Sequence, residues 1–172
     1  MAFKVEDGTG LPDSNSYLSV EDADSYFTDS GNTKWLALQT DAKQTFLVQA
    51  TRYIDTRFGT KFRGTVLNAD QALCFPRVDI GNGFVDGMPK RLLNATAEYA
   101  VRAATVGPLA PDPAFDSTNR LYTKKLQRVG PIITETDFDT QKGSMVTTWR
   151  PYPAADALIL PLTLYTGGVI RN

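Results

Sequence analysis

The chain has 172 residues, of which 42% are hydrophobic and 22% charged, and carries a net charge of −1 at pH 7. That length suits one domain with a real core, and the composition is neither that of a disordered chain nor that of a membrane span. With no histidine and one cysteine, Cys74, the chain lacks histidine-based catalytic dyads, histidine–metal sites and any internal disulfide.

No stretch approaches the roughly 20 apolar residues of a membrane helix. The opening MAFKVEDGTG lacks the basic and apolar regions of a signal peptide. The expectation is a protein made and used in the cytoplasm, with no membrane partner. Charge is unevenly distributed. Met1 to Asn32 holds seven acidic residues against Lys4, giving −6, so the remainder carries +5. Such polarity suits head-to-tail self-association, the acidic side of one copy facing the basic side of the next.

In chain order, GTGLPDSNSY is turn-rich, and Ser19 with Asp22 forms a capping-box pattern ahead of a first helix, Val20 to about Asp29, stopped at Gly31. Trp35, Leu36 and Leu38 suggest a short helical turn. A longer helix follows Thr40 and runs to Phe58, with Phe46, Leu47, Ala50, Ile54 and Phe58 at three- and four-residue spacing and Gly59 as its C′ residue. The spacing predicts another short helix over Asn68–Leu73, broken by Pro76, then a glycine-rich loop, DIGNGFVDG. Pro89 fits the first position of a helix from Lys90 to about Val106, whose Leu92, Leu93, Tyr99, Ala100, Ala103 and Ala104 make an apolar face.

After Gly107-Pro108 the character changes. GPLAPDPAFDST reads as an extended crossing, and Asn119 to Phe138 as a bent or paired β segment around Gly130-Pro131. Pro153 to Leu164 is a further helical or buried segment, and TGGVIRN a tail. The fold class expected is mainly α: a compact helical bundle with a small β segment or arm and an extended C-terminal tail. It forms a single domain organised as a helical core (1–107), an arm with the β segment (108–150) and a C-terminal segment and tail (151–172).

Chemistry-bearing patterns are sparse. Gly8-Thr9-Gly10 and Gly81-Asn82-Gly83 lack the lysine and the strand–loop–helix frame of a phosphate loop. Asp79, Asn82 and Asp86, or Glu135, Asp137 and Asp139, do not follow calcium-loop spacing and read as solvated turn carboxylates. Asn94-Ala95-Thr96 is a chance sequon within a helix. Cys74 follows Ala72-Leu73 and reads as a small buried hydrophobe. No catalytic, metal or cofactor residues emerge, and no enzyme activity is expected. The best nucleic-acid signal is ATRYIDTRFGTKFRG, where Arg52, Arg57, Lys61 and Arg63 alternate with Tyr53, Phe58 and Phe62. A helix that buries aromatics and uses its arginines in interfaces produces the same spacing. A second basic run comprises Arg120, Lys124, Lys125 and Arg128.

VEDGTGLPDSNSYLSVEDADSYF, ATRYIDTRFGTKFRGTVLNADQALCFPRV, MPKRLLNATAEYAVRAA, and VGPI with YPAADALILPLT together resemble the phage proteins labelled DnaT-like single-stranded-DNA-binding proteins, over nearly the whole chain. Val5–Tyr17 and the block from Phe62-Arg63-Gly64 to Pro76-Arg77 are the most specific parts. Cys74-Phe75 stands where many relatives would carry a tryptophan beside the proline.

Such proteins are also similar to the head–tail connector adaptors of tailed phages, helical proteins that form a ring beneath the portal. That resemblance implies a structural virion protein of the neck, assembled in the host cytoplasm. Its partners would be the portal protein, a tail or stopper/nozzle protein, identical copies in a ring (a dodecamer by family analogy), and genomic DNA passing through the channel, which the acidic N-terminal third would line. The expected portal or tail docking residues are Tyr165, Val169, Ile170, Arg171 and Asn172, with the loop Asp79–Met88 and the arm Pro108–Ser117 as further docking elements. The expected inter-subunit or DNA-facing residues are Arg52, Arg57, Lys61, Arg63, Lys124, Lys125 and Arg128. The alternative is a single-stranded-DNA-binding replication protein that uses Arg52, Tyr53, Arg57, Phe58, Lys61 and Arg63.

Overall fold

The structure is a computed structural model that describes residues 2–81, 83, 84, 86–110 and 149–164, together with the backbone of 124–129 and 132–137. Five helices dominate it: α1 (Val20–Asp29), α2 (Thr33–Leu36), α3 (Thr40–Phe58), α4 (Lys90–Val106) and α5 (Pro153–Ile159). Four short strands accompany them: β1 (Thr65–Val66), β2 (Arg77–Val78), β3 (Lys124–Val129) and β4 (Ile132–Asp137). The fold is a helical bundle with small two-stranded sheets, β1–β2 and β3–β4, both antiparallel. The chain divides into two compact units, one of Met1–Leu109 with Arg150–Asn172 and one of Ala110–Trp149.

Local chemistry explains the helix ends. Ser19 caps α1 by accepting the Asp22 backbone N–H, and Gly31 follows in the left-handed region at φ 67°. Val20, Ala23 and Phe27 recur on one face and are buried. In the first unit α3 and α4 pack together and α5 lies on α4, around Tyr17, Phe27, Trp35, Leu47, Ile54, Phe75, Leu92 and Tyr99, all at most 1% exposed. Side chains of this size each contribute about 1.5–3 kcal/mol on burial, which is what holds a largely polar chain in a bundle.

Four sequence expectations need correction. Asn68–Leu73 is not a helix. Its polar groups bond sideways instead: the Asn68 N–H to Gln71 Oε1, the Gln71 amide to the Leu73 and Pro76 carbonyls, and the Ala72 N–H to Leu11 O. Side chains that capture the backbone in this way compete with helix formation. Gly59 is not a left-handed C′ residue. It continues α3 into a 3₁₀ turn at φ −51°, and a Cβ there would sit 2.8 Å from Cys74 Sγ, so its role is close approach. Pro89 is the N-cap of α4, one position earlier than expected. Phe46 is only half-buried on α3, whose buried face instead runs through Lys43, Leu47, Ala50, Ile54 and Phe58.

Candidate functional site

The region between residues 50 and 63 brings the expected cations and aromatics together, but most of them face inward. Tyr53, Phe58 and Phe62 are 6%, 4% and 3% exposed, which leaves no ring face free for a base to stack on. Arg57, near the end of α3, makes a bidentate pair with Asp156 of α5, at 2.8 and 3.1 Å, and also donates to Tyr53 Oη at 2.9 Å. Asp156 further accepts from the Tyr99 hydroxyl and, at 3.0 Å, from the Tyr152 N–H. Tyr53, Tyr99 and Tyr152 pack ring to ring around the pair. Burial, with the Asp156 carboxylate beside it, pushes the Tyr99 hydroxyl far above its ordinary range. The Arg57–Asp156 node therefore ties the C-terminal helix to the bundle.

Arg63 is half-buried and donates from Nε to Thr163 O at 2.9 Å. Its own carbonyl accepts from Arg77 Nε at 2.7 Å, while Arg77 also reaches Gly64 O. The segment around Phe62 pairs antiparallel with that around Thr163. Of the first four expected cations, Arg52 and Lys61 are the exposed ones.

The segments that carry the sequence resemblance meet in space. Buried Glu6 accepts from the N–H groups of Gly8, Gly10 and Leu11 and from the Ser14 hydroxyl, so one carboxylate closes the whole GTGLPDS turn. Asn68 Nδ2 reaches Thr9 O at 2.6 Å. The Tyr17 hydroxyl donates to Asp55 and accepts from the Phe75 N–H at 3.2 Å, and Thr51 Oγ1 accepts from the Tyr17 N–H. Gly64, at φ 71°, lies so close to β2 that a Cβ would sit 2.1 Å from Val78 O. The signature residues Val5–Tyr17 and Phe62–Arg77 thus form one structural node. Burial raises the Asp55 carboxyl above its usual value against the donors around it, and pushes the Cys74 thiol up to about 12. A thiol held protonated in this way is not a nucleophile at neutral pH.

A second network escaped the sequence reading: Asp24 accepts from Trp35 Nε1 at 2.7 Å and from Lys43 Nζ at 2.9 Å, with Lys43 itself buried. The available signal was spacing, because 43, 47, 50 and 54 share one helical face. Among the described residues no group of histidine, cysteine, aspartate or glutamate is arranged to hold a metal ion, and no helix is long and apolar enough to cross a membrane.

Two features remain as surfaces. An open groove of about 400 Å³ runs along the outer face of α3, with Phe3 and Val48 as its apolar part, Gln44 and Gln49 on its wall, and Asp41 and Arg52 among its lining residues. The second feature is the β3–β4 hairpin, in whose register Lys124 lies opposite Asp137, Lys125 opposite Thr136 and Arg128 opposite Ile133. Its three cations and two acids leave a net charge of only +1. The loop Asp79–Met88 is pinned at its base by the Arg77–Gly87 bridge and by the Ile80 N–H on Asp86. Arg120, the arm residues beyond Ala110, and Tyr165, Val169, Ile170, Arg171 and Asn172 lie outside the described residues.

Neither a curated protein nor a solved structure matches the chain. A protein-family sequence model does, over residues 1–171, and with that coverage the chain belongs to the family described as "Putative DnaT-like ssDNA binding protein".

Proposed function

We propose that this protein is a structural, non-catalytic assembly protein, a connector between the portal and the tail of a tailed phage that works as a ring in the virion neck. The observation that carries this reading is the inward turn of the 50–63 block. The rings that would stack on bases are core residues, and Arg57 and Arg63 are held by Asp156 and a backbone carbonyl. Among the described residues, the first unit carries a groove and the second a hairpin of two six-residue strands, features of the kind through which proteins contact one another. The portal and tail as partners come from the sequence resemblance. None of the comparisons names them. Under this reading, removing Gly167–Asn172 leaves the bundle intact and weakens attachment to the portal.

The second reading, a single-stranded-DNA-binding protein, is the one the family description favours. Of the cations expected to face DNA, Arg52 and Lys61 are the exposed ones of the block, and Lys34, Lys90, Arg91, Arg102 and Arg150 are exposed elsewhere in the first unit. Binding through such cations, with Tyr53, Phe58 and Phe62 buried, would be steeply salt-dependent and without stacking on those rings.

One experiment separates the two. The purified chain is mixed with the portal protein of its phage and, separately, with labelled single-stranded DNA at physiological salt, both followed by sedimentation. A ring-sized complex with portal and no shift of the DNA supports the connector. Micromolar DNA binding that is lost in R52A/K61A, with no portal complex, replaces it with the second reading.

A further inference from the structure

While Leu47, Ala50 and Ile54 turn α3 towards the bundle, its outer face carries a stripe with opposite charges at its two ends. Asp41, Thr45, Val48 and Arg52 follow one another at spacings of four, three and four residues, which puts them in one line along the helix. All four line the groove, Val48 half-buried and the other three exposed. Gln44 and Gln49 flank the line on opposite sides, at equal distances from its midpoint. Eleven residues separate Asp41 from Arg52, about 16 Å along the axis, too far for the two to meet within one chain. Among the described residues neither side chain has a hydrogen-bond or ion-pair partner.

Such a stripe is complementary to itself when reversed. Two copies of α3 laid antiparallel, with a two-fold axis through the point midway between Thr45 and Val48, bring Asp41 of each against Arg52 of the other and Thr45 of each against Val48 of the other. Two equal ion pairs then bracket two layers in which the Thr45 methyl meets the Val48 side chain. The spacing of four, three and four is that of a heptad seam, so the contact line stays between the helices along its length. Gln44 comes beside Gln44 of the other copy along one edge and Gln49 beside Gln49 along the other, and an amide, which both donates and accepts, can bond its own kind. Phe3, half-buried at the groove, extends the apolar surface. A parallel arrangement would instead set Asp41 on Asp41 and Arg52 on Arg52, so the charges select the antiparallel one.

The geometry points to a two-fold self-interface: a second copy of this chain docks antiparallel on the outer stripe of α3, with Asp41 of each copy paired to Arg52 of the other around a Thr45–Val48 centre. An isologous contact closes at two copies, so it is distinct from the head-to-tail contacts of a ring and does not rest on the connector reading. It assigns the free chain a dimeric form. A seam about 16 Å long falls short of the roughly 800 Å² that each partner buries in a stable complex, so the pair is weak and fills at high protein concentration. Exposed ion pairs add little strength, whereas like charges in the same places oppose association, so Asp41 and Arg52 act chiefly by fixing orientation and register.

The test is sedimentation of the full chain alone, from about 10 μM to about 1 mM at low salt. A monomer–dimer equilibrium that weakens as salt is added is the expected result. D41R and R52D each place like charges at both ends of the pair and should raise the dissociation constant about tenfold or more. The double variant D41R/R52D restores both ion pairs with their signs exchanged and should regain the dimer. An equimolar mixture of D41R with R52D should associate more tightly than either variant alone, because one copy then carries two cations and the other two carboxylates. Both side chains are exposed, so urea midpoints near that of the parent chain separate lost association from lost folding. A parent chain that stays monomeric over the whole range overturns the inference. So does a dimer indifferent to both single variants, or a mixture that associates no more tightly than its components.

Discussion

Replacing Asp156 with asparagine tests whether the C-terminal helix is held by the node described above. The carboxylate receives both ends of the Arg57 guanidinium, the Tyr99 hydroxyl and the Tyr152 N–H, and the two charged side chains are 14% and 13% exposed. Asparagine keeps one acceptor oxygen and turns an NH₂ group towards donors, leaving the guanidinium without a counter-charge. Breaking one side of a buried pair costs about 3–5 kcal/mol. Residual solvent and the remaining Tyr53 contact of Arg57 lower this to about 2–4 kcal/mol. In urea, with a slope of about 1–3 kcal/mol per molar, the midpoint falls by roughly 1–2 M. The control is D13N, which breaks the Lys4–Asp13 pair, whose side chains are 43% and 63% exposed. It costs about 0–1 kcal/mol. A double-mutant cycle of R57M and D156N isolates the pair and is expected to give a coupling of about 2 kcal/mol. If D156N loses no more than D13N, the node does not hold α5.

Three further outcomes follow from the same contacts. Cys74, with its thiol pushed up to about 12 from an ordinary 9, has roughly a thousandth of the ordinary thiolate fraction at pH 8. Alkylation of the native chain should therefore be slower than in denaturant by at least that factor and should rise about tenfold per pH unit up to pH 11, whereas the unfolded thiol levels off near pH 9. Native labelling at the unfolded rate would remove the half-buried Asp55–Cys74 arrangement. Gly64→Ala places a Cβ against Val78 O in a left-handed conformation and is expected to cost more than about 2 kcal/mol in thermal or urea unfolding, while Gly31→Ala, also left-handed but with open space around it, costs about 1 kcal/mol. Equal losses at the two glycines would mean that the approach to β2 is not tight. Glu6→Gln deprives a four-donor clamp of one acceptor oxygen and should lower stability by about 1–3 kcal/mol without changing DNA or portal binding. A binding defect at unchanged stability would make the turn a contact surface instead of a structural one.

Helix positions were largely legible in the chain because their signals are local. Ser19 and Asp22 cap α1, the three- and four-residue spacing of Leu47, Ala50, Ile54 and Phe58 marks the buried face of α3, and Gly107-Pro108 ends α4. The paired strands around Gly130-Pro131 were readable for the same reason. Long-range partnerships were not. Arg57 and Asp156 are 99 residues apart, and nothing near either of them distinguishes an arginine facing DNA from one bonded across the bundle. Asn68–Leu73 had a helical composition but lost its helix to bonds from Leu11 and Gln71. Composition and periodicity by themselves determined a mainly helical, histidine-free chain, because those properties depend on residue type and spacing alone. Which cations of the 50–63 block reach solvent, which of its aromatics can stack, and why the signature segments contain Glu6, Tyr17 and Gly64 were decided only by the tertiary structure, since burial and hydrogen bonding depend on what the distant parts of the chain bring alongside.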